Sequence, residues 1–209
     1  MPDAFSFKPI PIVISGPSGV GKSTLCKTLI ETYRPFFQLS ISATTRPPRG
    51  AEMNGQHYFF KTLDQFKALI ESDKKIPDAT RHQLLEWAEY NHNLYGTLRE
   101  QLENGLQAHK HVILEIEVQG AMQIKEKMPE ALLVFIAPPS NLVLENRLRQ
   151  RGTNTEEDIQ ERLAIAQKEL EQSPHFDLVL VNTTIAGCMA LFIDALKSRQ
   201  YLPSSVSAP

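Results

Sequence analysis

Gly16-Pro17-Ser18-Gly19-Val20-Gly21-Lys22-Ser23-Thr24 is the stretch that decides the fold of this 209-residue chain. It has the spacing G-x-x-x-x-G-K-[ST], it follows an apolar run over residues 10–14, and it precedes a run of helical composition over residues 25–33. A strand, a glycine loop and a helix in this order predict a phosphate-binding loop, in which backbone N–H groups and the helix N-terminus surround phosphate oxygens. Lys22 is expected to reach the β and γ phosphates of a nucleoside triphosphate, and Ser23 to hold Mg²⁺ through its hydroxyl. A plain glycine turn is the alternative, and the flanking strand and helix disfavour it.

Composition and charge are those of an ordinary globular protein. Hydrophobic residues make up 42% of the chain and charged residues 22%, which suits one domain or one core with an inserted lobe. The net charge of −2 argues against nucleic acid binding driven by an overall positive charge. No apolar run has the length of a bilayer span, and the first residues lack the pattern of a signal peptide. Cys26 and Cys188 lack metal-binding spacing and fit a reducing compartment, so we expect a cytoplasmic protein. We also expect no nucleic acid partner and no membrane partner. Both a monomer and a homo-oligomer stay open.

Alternating runs of strand and helix composition predict an α/β fold. Continuous apolar strands, such as residues 112–114 and 132–136, are typical of strands buried on both faces of a parallel sheet flanked by helices. Residues from about 41 to 95 are richer in turn formers and predict a small antiparallel lobe inserted into that core. The predicted strands cover residues 10–15, 38–42, 57–60, 84–89, 112–117, 132–137 and 178–181, and the predicted helices cover 22–33, 63–71, 98–105, 119–127, 140–150, 156–172 and 185–199.

Two arginines, Arg46 and Arg49, lie three residues apart in a segment stiffened by Pro47 and Pro48. Their forked donors suit a second phosphate, although two exposed arginines alone would more often be a solvated turn. The pattern T-T-R-x-P-R over residues 44–49, followed by E-x-N-G-x-x-Y over residues 52–58, resembles the GMP-binding lobe of guanylate kinases.

The resemblance covers nearly the whole chain and implies the P-loop nucleoside monophosphate kinase fold. That fold has a parallel sheet core flanked by helices, an inserted small mixed α/β lobe that binds GMP, and a helical lid. The implied boundaries are residues 1–40 and 98–202 for the core, about 141–165 for the lid within it, 41–97 for the inserted lobe, and 203–209 for a flexible tail.

A carboxylate at Glu86 provides the chemistry needed to select guanine. The guanine edge presents N1–H and an exocyclic amine side by side, and one carboxylate accepts both, whereas adenine would leave a buried carboxylate unpaired. The resemblance implies that Glu86 reads guanine, with Ser42 and Thr97 as accompanying hydroxyls. The alternative for Glu86 is an exposed strand residue beside a buried Trp87. The residues implied to bind the GMP phosphate are Arg46, Arg49, Tyr58 and Tyr95.

Two glutamates, Glu115 and Glu117, close an apolar strand just before a glycine turn. Groups at the carboxyl end of a parallel strand face a bound ligand, and residues two apart share one side of the strand. The resemblance implies that Glu115 holds Mg²⁺ through water and that Glu117 binds GMP. Guanylate kinases generally carry aspartates at both positions, so each glutamate here adds roughly 1.5 Å of reach.

The segment from residue 146 to residue 162 matches the lid of the family. Arg151 and Arg162 occupy the positions of the arginines that close over the triphosphate, so the resemblance implies that both are catalytic together with Lys22. Arg147 and Arg149 fit a charged helical surface with i,i+4 pairs. Asn182 falls where the family contacts adenine, which implies a role in ATP binding.

The implied reaction is ATP + GMP → ADP + GDP with Mg²⁺, and GMP or dGMP as acceptor. A phosphate monoester is largely ionised near neutral pH and needs no general base, so alignment and charge neutralisation remain as the catalytic work. A kinase for another phosphorylated acceptor stays open because of Glu115 and Glu117. A non-catalytic guanylate-kinase-like module of scaffold proteins is a second alternative, disfavoured by Lys22 and Ser23. The extra residues 73–82 are either a surface loop or a changed mouth of the guanine pocket.

Overall fold

The computed structural model of the chain describes residues 7–90, 92–150 and 155–206. The strands in these ranges are β1 (Pro11–Ser15), β2 (Phe37–Leu39), β3 (Ala43–Thr44), β4 (Phe59–Phe60), β5 (Leu84–Tyr90), β6 (Asn93–Leu98), β7 (His111–Glu115), β8 (Leu132–Ala137) and β9 (Leu178–Val181). The α-helices are α1 (Lys22–Thr32), α2 (Leu63–Lys74), α3 (Arg99–Gln107), α4 (Val118–Lys127), α5 (Asn141–Gln150), α6 (Glu156–Glu171) and α7 (Ile185–Ser198).

A five-stranded parallel sheet forms the core, in the order β2-β7-β1-β8-β9. The central strand β1 is buried along its whole length, with Ile12 opposite Ile113 on one side and Leu132 on the other. This confirms the predicted α/β fold with a parallel sheet. Because the carboxyl ends of parallel strands meet at one edge, the glycine loop after β1 lies beside Glu115 at the end of β7.

Helices pack on both faces of this sheet and bury two apolar clusters. One cluster joins the sheet to α1 and α7 through side chains such as Leu29 and Phe192. The other joins it to α3 and α4 through Leu102 and Ile124. Each fully buried side chain of this size contributes about 1.5–3 kcal/mol, so these clusters supply most of the driving force for folding. None of the helices in the described ranges is both long and apolar enough to cross a membrane.

A second, four-stranded sheet has the order β4-β3-β6-β5. It is mixed rather than wholly antiparallel as predicted, because β3 and β4 pair in parallel while β6 pairs antiparallel with both of its neighbours. The predicted strand 38–42 exists as β2 but ends earlier than predicted, because the chain leaves the core sheet after Leu39 and joins the second sheet at Ala43. Helix α2 closes one face of this sheet through Phe66, which is fully buried.

The segment after α7 is packed, which contradicts the predicted flexible tail over residues 203–206. Leu202 and Val206 are both buried in the cluster formed with α1 and α7. The imidazole Nε2–H of His111 donates to the carbonyl oxygen of Tyr201 at 2.8 Å and ties this segment to β7. The two apolar side chains explain the packing, because they cover part of the core that α7 leaves open. Residues 207–209 of the predicted tail lie outside the described residues.

Candidate functional site

The glycine loop leaves β1 at the carboxyl edge of the core sheet and leads directly into α1. Gly16 has a φ of 136°, and a Cβ atom there would lie 2.2 Å from the carbonyl oxygen of Ile136, so a side chain at this position is excluded. The Lys22 ammonium donates to the carbonyl oxygens of Gly16 and Pro17 and so lies across the mouth of the loop. Phosphate oxygens bound in the loop would take the place of these two acceptors.

Beside the loop, a hydroxyl oxygen of Ser23 and a carboxylate oxygen of Glu115 lie next to each other. Ser23, in the first turn of α1, donates its hydroxyl to Oε1 of Glu115 at 2.5 Å. Hydroxyl and carboxylate oxygens are the ligands that Mg²⁺ takes from proteins, with the remaining positions filled by water and phosphate. This pair therefore fits Mg²⁺ at the predicted position.

A cleft of about 280 Å³ runs from the glycine loop to the second sheet. Residues from the core sheet side form one wall, and residues of the second sheet and its loops form the other. On the core side it is lined by Lys22, Ser23, Leu39, Ser40, Glu115, Ile116 and Glu117, and on the other side by Ser42, His57, Tyr58, Glu86, Ala88, Tyr90, Tyr95 and Gly96.

Glu86 is a buried carboxyl group at the far end of this cleft, with only 4% of its surface exposed. Its Oε1 accepts a hydrogen bond from the Thr97 hydroxyl at 2.7 Å. Burial raises the pKa of Glu86 to about 7, against the hydrogen bond from Thr97, which acts in the opposite direction. The alternative of an exposed Glu86 beside a buried Trp87 is wrong, because Trp87 is the exposed member of the two, at 38%.

An irregularity in β5 directs Glu86 into the cleft. Leu84 pairs with Leu98 and Glu86 pairs with Thr97, so one extra residue, Leu85, bulges between them. Leu84 packs in the small core beneath α2, whereas Leu85 packs in the large core beside α4. After the bulge, residues 86, 88 and 90 line the cleft with the period of two expected of a strand.

Arg46 is held by the carboxylate of Glu52, a residue for which the sequence predicted no role. Its guanidinium makes two hydrogen bonds with Glu52, both at 2.9 Å, and lies 5.2 Å from the centre of the Tyr58 ring. These bonds, with a third from the backbone N–H of Arg49, lower the pKa of Glu52 to about 2. Arg46 is thus positioned behind Tyr58, and the Arg49 side chain is exposed. Neither arginine is among the residues that line the cleft. Glu52 begins the E-x-N-G pattern and lies close to Arg46 and Arg49 in the sequence, and this closeness was the signal that could have indicated the Arg46–Glu52 ion pair.

Of the two arginines predicted for the lid, one lies within the described ranges. Nη1 of Arg162, on α6, donates to the Ser18 hydroxyl of the glycine loop at 3.4 Å. Arg151 lies outside the described residues. Arg149 pairs with Glu145 and Glu156, as a charged helical surface requires.

Arg147 does not belong to that charged surface, which corrects the prediction. It donates from Nη1 to the carbonyl oxygen of Val20 at 3.2 Å and from Nη2 to that of Asn182 at 3.0 Å. The amide of Asn182 also donates to Val20, at 2.7 Å, while its Oδ1 is buried without a partner. Arg147 and Asn182 therefore brace the glycine loop, and the Oδ1 atom remains as an acceptor for a ligand.

Glu117 meets a second carboxyl group, from α6. It lines the cleft and immediately precedes α4. Burial, together with the neighbouring Glu117, raises the pKa of Glu169 on α6. The pair brings α6 to the edge of the cleft, and nothing in the sequence pattern identified Glu169.

The extra residues 73–82 are anchored rather than loose. Asp73 is 6% exposed, and its carboxylate accepts from the backbone N–H groups of Gln83 at 2.8 Å and Leu84 at 2.9 Å. Arg99 donates to the carbonyl oxygens of Ala79 and His82. Residues 73–82 do not contribute to the lining of the cleft, and the structure places them beside the start of β5.

Comparison with known proteins gives one consistent result. The family model described as guanylate kinase matches residues 8–199. The guanylate kinase of Desulfitobacterium hafniense is 46% identical over 187 residues, covering 90% of this chain and 86% of that protein. The guanylate kinase of a Synechocystis species is 50% identical over 181 residues, covering 87% and 90%.

Solved structures agree with the family match. The crystal structure of guanylate kinase from Anaplasma phagocytophilum has a TM-score of 0.72 and 27% identity, covering 96% of this chain and 90% of that one. The SH3-kinase fragment of tight junction protein 3, at 16% identity and a TM-score of 0.50, shares the fold alone. On the match to the family model and the identity to its members, the chain belongs to the guanylate kinase family.

Proposed function

We propose that this protein transfers the γ-phosphoryl group of ATP to GMP, giving ADP and GDP, and that it also accepts dGMP. The observation that carries the proposal is that Lys22 and Ser23 face the buried carboxyl group of Glu86 across a single cleft. One wall suits a triphosphate and the other suits a purine with adjacent donors. Membership of the guanylate kinase family supports the same reaction.

In this proposal the two nucleotides occupy opposite ends of the cleft. Residues 16–24 cradle the phosphates of ATP through backbone N–H groups, and the free Oδ1 of Asn182 accepts from the adenine amine. Residues 41–97 form the lobe that binds GMP, within a core made of residues 1–40 and 98–202. Tyr58, Tyr95, Arg46 and Arg49 would bind the GMP phosphate, with Ser42 and Glu117 beside the nucleoside.

Guanine selection follows from the burial of Glu86. Its Oε1 already accepts from Thr97, and the residue is one of those that line the cleft. Guanine supplies two donors, N1–H and the exocyclic amine, and so favours the ionised form that burial disfavours. Adenine lacks this donor pair and would leave the carboxylate desolvated and unpaired, which is the basis for rejecting AMP.

Catalysis then depends on alignment and on positive charge. The acceptor phosphate is already ionised, so no residue has to remove a proton. Lys22 and Arg162 lie at the glycine loop and would neutralise charge on the transferred group, with Arg151 as the second lid arginine. Ser23 would hold Mg²⁺ through its hydroxyl and Glu115 through water, and the ion would supply further charge neutralisation on the β and γ phosphates when bound.

A coupled assay that follows GMP-dependent formation of ADP tests this function. GMP and dGMP should support turnover, whereas AMP, UMP and phosphorylated sugars should not. Turnover with another phosphorylated acceptor, and none with GMP, would favour a related kinase. Binding of Mg·ATP without turnover on any acceptor would favour a non-catalytic module. We also propose a cytoplasmic location, supported by two free buried thiols that suit a reducing compartment.

A further inference from the structure

The carboxyl group that reads guanine is placed by the core as well as by its own sheet. Glu86 lies on β5, which is an edge strand of the second sheet. Thr97 is its hydrogen-bonding partner on the neighbouring strand. Its other oxygen, Oε2, points at the first turn of α4, where a Cβ atom on Gly120 would lie only 2.5 Å from it. The carbon of the carboxyl group, Cδ, would lie 3.1 Å from the same Cβ.

The open edge of β5 is bonded to the same helix. The side-chain amide of Gln123 donates to the carbonyl oxygen of Trp87 at 2.9 Å and accepts from the Trp87 N–H at 3.4 Å. The Lys127 ammonium donates to the carbonyl oxygen of Leu85 at 2.8 Å. These bonds flank Glu86 on both sides along the strand, so they fix the backbone from which its side chain extends.

We propose that Gly120, Gln123 and Lys127 of α4 are positioning residues for the guanine-reading carboxylate and therefore determine acceptor specificity. They are spaced by three and four residues, which puts them on one face of the helix. Gln123 and Lys127 hold the strand at a set distance from the core, and Gly120 leaves room for the carboxyl group at that distance. This inference rests on the proposed function, because it concerns how Glu86 recognises guanine.

Helix propensity makes position 120 informative. A glycine inside a helix is less favourable than alanine, so an unconstrained position would gain stability from the change to alanine. Here the added methyl group would meet an oxygen of a buried carboxyl group that has little free space. The side chain of Glu86 must then rotate or withdraw, and the hydrogen bonds to guanine are lost or lengthened.

The first test is Gly120→Ala, assayed with GMP and with IMP, which lacks the exocyclic amine. We expect the KM for GMP to rise roughly tenfold or more, as for a weakened hydrogen bond to a charged group, with kcat and the KM for ATP changing by less than about threefold. The preference for GMP over IMP, measured as the ratio of kcat/KM values, should fall. A role in packing alone would lower activity with GMP and IMP by the same factor.

The second test is Gln123→Ala, with Glu126→Ala on the exposed side of α4 as the matched control. Losing the two hydrogen bonds between the Gln123 side chain and the Trp87 backbone should raise the KM for GMP about three- to tenfold and lower the ratio of kcat/KM for GMP to that for IMP. The control variant should leave both quantities unchanged. This variant keeps the inference testable if Gly120→Ala does not fold. An unchanged GMP KM and selectivity in the folded variants would overturn the positioning role. Absence of GMP-dependent turnover in the unmodified protein would instead refute the proposed function.

Discussion

Replacing Glu86 by glutamine should stabilise the ligand-free protein while removing its ability to use GMP. The change keeps the shape of the side chain and deletes its charge. Glu86 is 4% exposed, and its pKa is raised from 4.5 to about 7 by burial. The folded protein therefore holds this proton more tightly than the unfolded chain does, and ionisation of the buried group at neutral pH works against folding.

The size of the gain follows from this pKa difference. The penalty is absent below the unfolded value of 4.5, grows as pH rises towards about 7, and is constant above it. A shift of this size corresponds to about 3 kcal/mol at pH 8 and to less than about 1 kcal/mol at pH 5. Glu86→Gln should therefore raise the free energy of unfolding by these amounts. An amide NH₂ facing the guanine donors should lower kcat/KM for GMP at least about 100-fold.

Urea unfolding without nucleotide, at pH 5 and pH 8, measures the stability, and the coupled assay measures the activity. Glu89→Gln is the matched control, because Glu89 lies on the exposed side of the same strand, and it should change neither quantity. A Glu86→Gln protein that is less stable than the unmodified protein at pH 8, or equally affected at both pH values, would refute the reasoning.

Three further predictions concern the loop, the anchored segment and the buried imidazole. Lys22→Ala should lower kcat at least about 100-fold with little change in the KM for GMP, because the ammonium neutralises charge on the transferred group. Steady-state kinetics with ATP and GMP measure both parameters. A rise in the KM for GMP as large as the fall in kcat would contradict this role of Lys22. Asp73→Asn should lower the free energy of unfolding by about 1–3 kcal/mol, because the single amide oxygen cannot replace the two carboxylate oxygens that accept from the backbone N–H groups of residues 83 and 84. Urea unfolding measures this free energy. An unchanged unfolding midpoint would show that Asp73 does not anchor residues 73–82. Burial lowers the pKa of His111, so the unfolded chain takes up a proton below pH 6.5 that the folded protein resists, and the free energy of unfolding should fall on acidification through this range. The Tm of His111→Gln should therefore fall less than that of the unmodified protein between pH 7.5 and pH 5.5. Parallel losses of Tm in both proteins would exclude this imidazole as the source.

The core could be predicted from the sequence because its signals are local. Continuous apolar strands predicted β8 and β9 with the bounds that the structure shows, and helical composition predicted each α-helix to within a few residues at its ends. The strand β6 was missed because Gly96 and polar neighbours interrupt its apolar pattern. The parallel pairing of β3 with β4 could not be predicted, since two-residue strands carry no periodicity and depend on tertiary packing.

The candidate site was predictable in composition but not in geometry. Motif spacing predicted Lys22 and Ser23, the resemblance to guanylate kinases implied Glu86, and the structure places all three on one cleft. The burial of Glu86 depends on the bulge at Leu85 and on the space left by Gly120, and both are set by contacts between distant segments. The role of Arg147 was missed for the same reason, because its carbonyl partners lie far away in the sequence.

The order of strands in the core sheet has a consequence for synthesis of the protein in the cell. Among the strands of the described ranges, the central strand β1 is translated first, and its neighbours β7 and β8 begin at residues 111 and 132. At about 5–20 residues per second, the ribosome leaves β1 without a partner strand for roughly 5–20 s. During that interval the nascent chain exposes one of its most apolar segments, and an unpaired apolar strand is prone to aggregate. The strand that carries the phosphate loop is thus paired late, only after translation has reached β7.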